Sequence, residues 1–171
     1  MKYYGEFTDI KDKLYKVSII TNGDSSNTKP IVLGDSPVII EYLNEDTIYE
    51  PTKYSRATIK LVTKDYMPDL YSGSAQGVKV IIEGFVNWFG YLTPNIYTQS
   101  YEASIEELEL EAIDGLSTLQ YYKYKPINGT KEIVSFKDLL TYLFKQCNCY
   151  EYFQFPNNIG FDTIDDFYIS E

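Results

Sequence analysis

Short runs of alternating apolar and polar residues, separated by turn-forming residues, recur along most of this 171-residue chain. The pattern is clearest at residues 56–63, where Ala57, Ile59 and Leu61 alternate with Thr58 and Lys60. A period of two is that of a β-strand with one face turned inward and the other turned to solvent. Seven or so such runs at roughly ten-residue spacing predict a mainly β fold, an antiparallel β-barrel or sandwich.

The individual strands follow from the same pattern. Residues 2–8 and 13–21 are predicted to form a hairpin, with the polar residues 9–12 as its turn. Residues 34–37, Gly-Asp-Ser-Pro, are predicted to be a turn between two further strands, because proline fixes the backbone there. The remaining predicted strands are 31–33, 38–43, 56–63, 78–83, 87–92 and 150–155.

Residues 104–120 carry two conflicting patterns. Leucines and alanine sit near helical spacing, and glutamate and leucine are good helix formers. Yet Glu107, Glu109 and Glu111 alternate strictly with apolar residues, as in a half-buried strand. We predict a strand over 106–113, a break at Asp114-Gly115 and a short helical turn near 114–120.

One segment has a clear helical period. Apolar residues at positions 136, 139, 140, 143, 144 and 147 form one stripe, which predicts an amphipathic helix over about 136–147. We expect residues 1–125 to form a β-barrel or sandwich domain. Residues 126–171 are expected to be a helix-containing segment that opens a second domain of a longer chain.

The charge of the chain argues against two classes of partner. Its 15 basic and 25 acidic residues give a net charge of −10, and its lysines are interleaved with acids and apolar residues. An acidic surface repels nucleic-acid phosphates and anionic membranes. We therefore expect neither sequence-specific nucleic-acid binding nor membrane association.

The residue types needed for common catalytic sites are scarce. The chain has no histidine, so a Ser-His-Asp or Cys-His arrangement cannot be built from it. Cys147 and Cys149 form a lone Cys-x-Cys pair, for which two reduced thiols are a better interpretation than a zinc site. The sequence predicts no catalytic, cofactor-binding or metal-binding residue, no cofactor and no enzymatic activity.

Trp88, the only tryptophan, allows two interpretations. On an exposed face, Trp88 and the neighbouring tyrosines Tyr91, Tyr97 and Tyr101 would stack on sugars, as in a carbohydrate-binding module. Inside the sheet, Trp88 would be a core residue, which its position in a strand-like run favours. The two interpretations differ in the burial of Trp88.

The stretch around Trp88 also carries a resemblance to a known family. Its order of motifs resembles the first domain of tail-hub and baseplate-hub proteins of tailed bacteriophages, over about residues 55–150. The residues that carry the resemblance are Asp69 to Gly73, the predicted strand 78–83, Trp88-Phe89-Gly90-Tyr91-Leu92, Pro94, Tyr97, Tyr101 and Leu108-x-Leu110-x-Ala112-x-Asp114-Gly115-Leu116-x-x-Leu119.

This resemblance implies a tail-tube-like β-barrel domain in a phage or prophage virion. Such hubs form a ring, usually a trimer, that joins the tail tube to the tip complex, with tube, distal tail and spike proteins as partners. Ala112, Asp114 and Gly115 would form a structural corner. The expected location is the virion tail, after assembly in the cytoplasm of the host bacterium. The alternative from another class is a β-rich carbohydrate-binding module that uses Trp88.

Overall fold

A computed structural model of the chain describes residues 1–21, 26–42, 54–70, 77–93, 105–122, 133–147 and 168–170. The chain divides into two compact units, Met1–Asp114 and Gly115–Glu171. The domain break predicted from the sequence, between residues 125 and 126, lies outside the described residues.

The first unit is built on one eight-stranded sheet with the strand order β3-β1-β2-β6-β7-β8-β5-β4. All neighbouring strands are antiparallel except β1 and β3, which are parallel. The predicted mainly β fold is confirmed, and the sheet is not closed into a barrel. The strands are β1 (Lys2–Thr8), β2 (Leu14–Ile20), β3 (Thr28–Pro30), β4 (Val32–Tyr42), β5 (Ser55–Thr63), β6 (Lys79–Glu83), β7 (Trp88–Leu92) and β8 (Glu106–Asp114).

The predicted hairpin of β1 and β2 is confirmed, and Asp9 explains its turn. The Oδ1 atom of Asp9 accepts hydrogen bonds from the backbone N–H groups of Lys11 (2.8 Å) and Lys13 (2.9 Å). Asp12 takes a positive φ of 57°, which aspartate tolerates better than most residues. The Lys13 backbone N–H is the main cause of a lowered pKa at Asp9, so this carboxylate is ionised at neutral pH.

The turn predicted at residues 34–37 is a β-bulge instead. The strands predicted at 31–33 and 38–43 are one strand, β4, whose two halves pair with the same strand β5. Leu33 lies opposite Leu61 and Val38 opposite Ile59, so four residues of β4 are accommodated between these pairs. Proline and the positive φ of Ser36 (48°) fit a bulge on a border strand as well as they fit a turn.

The conflict over residues 104–120 is settled in favour of the strand. β8 alternates between buried Leu108, Leu110 and Ala112 and outward-facing glutamates. It lies between β5 and β7, and a period of two places Leu108, Leu110 and Ala112 together on the inner face.

The core of the first unit lies on the inner face of the sheet. The alternation predicted at β5 is confirmed, since Ala57, Ile59 and Leu61 are fully buried. Burying a large aliphatic side chain contributes about 1.5–3 kcal/mol, so this face accounts for most of the stabilisation. The other buried apolar residues of the cluster are Tyr3, Val17, Ile19, Met67, Leu70, Val78, Val80, Ile82, Trp88, Leu108, Leu110 and Ala112.

Both borders of the sheet come from one continuous stretch, residues 28–42. β3 pairs with the first half of β1, and β4 then pairs with β5 at the opposite border. The two borders touch at Ile31, whose N–H donates to the carbonyl oxygen of Tyr4 (2.8 Å), and at Leu33, which packs against Gly5. Beyond this contact no described strand joins β1 to β4, and the sheet stays open.

The described part of the second unit contains a 3-10 helix, Leu116–Tyr121, and the helix α1, Phe136–Gln146. It also contains two short strands, β9 (Ile133–Ser135) and β10 (Tyr168–Ser170), which pair antiparallel. The predicted helical turn and the predicted amphipathic helix are thus confirmed. The strand predicted at 150–155 lies outside the described residues.

Candidate functional site

Trp88 belongs to the core, as its position in the sequence favoured. Its side chain is only 8% exposed, and its indole Nε1–H donates to the Oγ atom of Ser55 at 2.9 Å. A sugar-stacking platform needs an exposed ring face, which Trp88 does not offer. Tyr91 is half-buried on the outer face against Phe89, with ring centroids 5.4 Å apart. Tyr97 and Tyr101 lie outside the described residues.

Trp88 is part of a buried polar cluster with Ser55 and Asp114. The Ser55 backbone N–H and its Oγ–H (3.0 Å) both donate to the Oδ2 atom of Asp114. The three residues come from the starts of β7 and β5 and from the end of β8. Because β8 alternates strictly, Asp114 points to the same inner face as Leu110 and Ala112, where a carboxylate needs such donors.

This cluster has the chemistry of a structural clamp. The Ser55 hydroxyl gives its hydrogen to Asp114 and receives the hydrogen of Trp88, so its oxygen is already engaged on both sides. Ser55, Trp88 and Asp114 are all buried, which shields the hydroxyl from solvent. The arrangement links the ends of the three strands β5, β7 and β8.

The outer face of β8 carries an acidic strip, Glu107, Glu109 and Glu111. Lys60, on the adjacent strand β5, lies 2.6 Å from Glu109 and 3.9 Å from Glu107, measured from Nζ to Oε1. The hydrogen bond with Glu109 raises the pKa of Lys60. Two carboxylates thus share one ammonium group, and the strip keeps a net negative charge. Exposed pairs of this kind contribute little to stability, because solvent screens them.

A cleft of about 360 Å³ opens where β1 and β4 separate. Its walls come from inward-facing residues of the β1–β2 hairpin and of the second half of β4. Phe7 and Tyr15 stack on one side with ring centroids 5.3 Å apart. Among the described residues that line the cleft, only Asp9 is charged. The lining residues are Phe7, Asp9, Tyr15, Val38, Ile40, Tyr42, Ile82 and Val86.

Exposed apolar side chains surround the mouth of this cleft. The turns of the β1–β2 and β6–β7 hairpins lie side by side, because β2 pairs with β6. Ile10, at the tip of the first turn, is fully exposed, and Phe85 and Val86 are exposed in the second. The Lys13 Nζ atom sits 3.3 Å from the centroid of the Phe85 ring, a cation–π contact between the turns.

Within the described residues, no group of three or more acidic, cysteine or histidine side chains is arranged to hold a metal ion. Cys147 is a buried free thiol whose Sγ atom lies 3.3 Å from the Leu143 carbonyl oxygen, and Cys149 lies outside the described residues. None of the described helices is both long enough and apolar enough to span a membrane.

The burial of Trp88 makes its fluorescence a direct test of the cluster. We expect iodide to quench the native protein much less than the protein unfolded in guanidinium, because Trp88 is shielded in the sheet. Ser55→Ala is expected to shift the native emission, since it removes the acceptor of the indole N–H. Added glycans are expected to leave the emission unchanged. Equal quenching of native and unfolded protein would contradict the buried position.

Sequence reasoning missed Ser55 and the cleft. Ser55 lies one residue before the predicted start of its strand, and its partner Asp114 is 59 residues away in the chain. One signal was available in the sequence. The alternation of β8 places Asp114 on the inner face, where its carboxylate needs a buried hydrogen-bond donor.

Comparison of the chain with protein-family models, with curated proteins and with solved structures found no match.

Proposed function

We propose that this chain is a structural component of a bacteriophage or prophage tail, a hub or baseplate domain that joins the tail tube to the tip complex. In this role it associates with copies of itself into a ring, with a trimer as the expected form. It also contacts tube, distal tail or spike proteins. The role is mechanical and involves no catalysis. Its location is the virion tail, after assembly in the host cytoplasm.

The observation that carries the proposal is the unequal protection of the two sheet borders. β3 is only three residues long and contains Lys29 and Pro30, features that block edge-to-edge pairing. β4 is eleven residues long, and Val32 near its start is 67% exposed. An exposed border strand offers backbone N–H and C=O groups to a neighbouring subunit, and contacts between subunits generate a ring when they are head-to-tail and the rotation closes.

Two further features support a tail role. The sequence resemblance to hub proteins spans the strands that hold Trp88 and Asp114, and it implies a structural role for Asp114. The acidic strip on β8 would suit a ring channel, because like charges would keep DNA from adhering to its wall.

The experiment is the molar mass in solution over a concentration series, by light scattering after size exclusion, with negative-stain microscopy for rings. The chain is expected to form a trimer or larger ring as concentration rises. Val32→Lys is expected to weaken this association by about tenfold or more, roughly 1.4 kcal/mol, because it places a charge on the border strand.

The matched control is Ile105→Lys, which introduces the same charge at a residue that precedes β8 and is 62% exposed. It should leave the molar mass unchanged. A chain that remains monomeric at every concentration, or that loses association equally in both variants, would argue against a ring contact at β4.

A further inference from the structure

We propose that the cleft between β1 and β4 binds an extended polypeptide strand of a partner protein, with apolar residues at alternate positions and a lysine or arginine beside Asp9. The bound segment would add a strand to the sheet at the place where it stays open. This inference does not depend on the tail role, because it rests only on the cleft and the two strands that flank it.

The strand edges on both sides of the cleft can pair with an added strand. β1 pairs with β3 only through Lys2, Tyr3 and Tyr4, and its later residues have β2 as their only described partner strand. The second half of β4, from Val38 to Tyr42, has β5 as its only partner among the described strands. Each border therefore presents N–H and C=O groups that an extended segment can satisfy. A segment of about five residues, at roughly 3.3 Å each, matches this half of β4.

The side chains of the cleft set the pattern of the bound segment. Val38, Ile40 and Tyr42 face the cleft from alternate positions of β4, opposite the stacked rings of Phe7 and Tyr15. Side chains of an added strand alternate in the same way, so every second residue would enter this apolar space. Burial of those residues supplies the main stabilisation of the complex.

Charge decides which segment fits best. Of the lining residues that the structure describes, Asp9 alone carries a charge. Its Oδ1 atom holds the two backbone N–H groups of its turn, while Oδ2 accepts no hydrogen bond from any described residue. A carboxylate oxygen at the rim of an apolar cleft favours a cationic group and disfavours an anionic one. A basic residue at one end of the bound strand is the complementary choice.

The test uses the full chain and three synthetic peptides. The first peptide is acetyl-Lys-Thr-Val-Thr-Ile-Thr-Val-amide; the second has glutamate in place of lysine; the third has proline in place of both valines. Binding is followed by nuclear magnetic resonance titration, and strand pairing by amide hydrogen exchange. The first peptide is expected to bind and to slow exchange at residues 6–8 and 38–42. The affinity of the glutamate peptide is expected to be lower by a factor of about five or more, and the proline peptide is expected not to bind.

A protein variant places the binding at the cleft. Tyr42→Ala removes a lining residue that is exposed, so the sheet should keep its stability, and binding of the first peptide should weaken about fivefold or more. Tyr54→Ala, at a tyrosine of similar exposure that does not line the cleft, is the control and should bind as the unaltered protein does.

Three results would overturn the proposal. The first is no binding of the lysine peptide at millimolar concentration. The second is equal binding of the proline peptide, which would mean that the cleft takes apolar groups without strand pairing. The third is equal binding by Tyr42→Ala and Tyr54→Ala, which would place the peptide elsewhere. The ring test changes Val32 at the start of β4, whereas the peptide test reports on residues 38–42 at its end, so a failure here leaves the result for Val32→Lys standing.

Discussion

Replacing Gly90 with alanine is expected to lower the free energy of unfolding of the Met1–Asp114 unit by roughly 3 kcal/mol or more. Gly90 lies in β7, opposite Asp114 of β8. A Cβ atom there would lie 2.8 Å from the Ile113 carbonyl carbon, and closer still to its oxygen and to the Trp88 ring. The backbone oxygen cannot move without breaking the β7–β8 pairing, so the sheet itself must shift.

The measurement is urea unfolding, followed by Trp88 fluorescence and far-ultraviolet circular dichroism. Gly34→Ala is the control, because the atoms nearest to a Cβ atom at Gly34 are 3.4 Å away or more. That variant should stay within about 0.5 kcal/mol of the unaltered protein. A Gly90→Ala protein as stable as Gly34→Ala would show that β7 and β8 do not pack as closely as the structure has them.

Replacing Asp114 with alanine is expected to cost about 2–4 kcal/mol of stability. The change removes the acceptor of both Ser55 hydrogen bonds and leaves a buried backbone N–H without that partner. An unsatisfied buried group costs about 1–3 kcal/mol, and a charged acceptor adds to that loss. Urea unfolding, monitored by circular dichroism, measures the effect.

Asp114→Asn provides the control for this prediction. Asparagine keeps the shape of the side chain and one carbonyl oxygen, so we expect it to retain more than half of the stability lost in Asp114→Ala. A double-mutant cycle of Asp114→Ala with Ser55→Ala should show coupling of about 1 kcal/mol or more. Additive effects of the two substitutions would mean that the residues stabilise the sheet independently.

The strands of the first unit were predictable because their alternation coincides with burial. Ala57, Ile59 and Leu61 face the core at alternate positions of a strand that neighbours β4 and β8, so the local pattern and the tertiary structure agree. The same agreement settled β8, where helical spacing was the weaker signal. Residues 34–37 misled the prediction because a turn signal is local. The chain does not reverse at these residues, because β5 pairs with the strand segments on both sides of the bulge.

The cleft and the buried cluster could not be predicted, since each combines residues far apart in the chain. The residues that line the cleft range from Phe7 to Val86 in the chain and include residues of β1, β2, β4 and β6. In the cluster, Ser55 and Asp114 are 59 residues apart. Their positions depend on strand order and curvature, which a period of two does not specify. The parallel pairing of β3 with β1 could not be predicted either, because Thr28, Lys29 and Pro30 carry no strand pattern.

The short strand β3 has a consequence for how the sheet comes apart. It is held by three residue pairs, its side chains are exposed, and Pro30 has no N–H to donate. Opening of a protein usually begins where least apolar surface is buried. Release of β3 would expose almost no core. It would, however, weaken the neighbouring contact at Ile31, which links the two borders of the sheet. Among the described strands of this unit we therefore expect β3 to open first, and its release would widen the gap between β1 and β4.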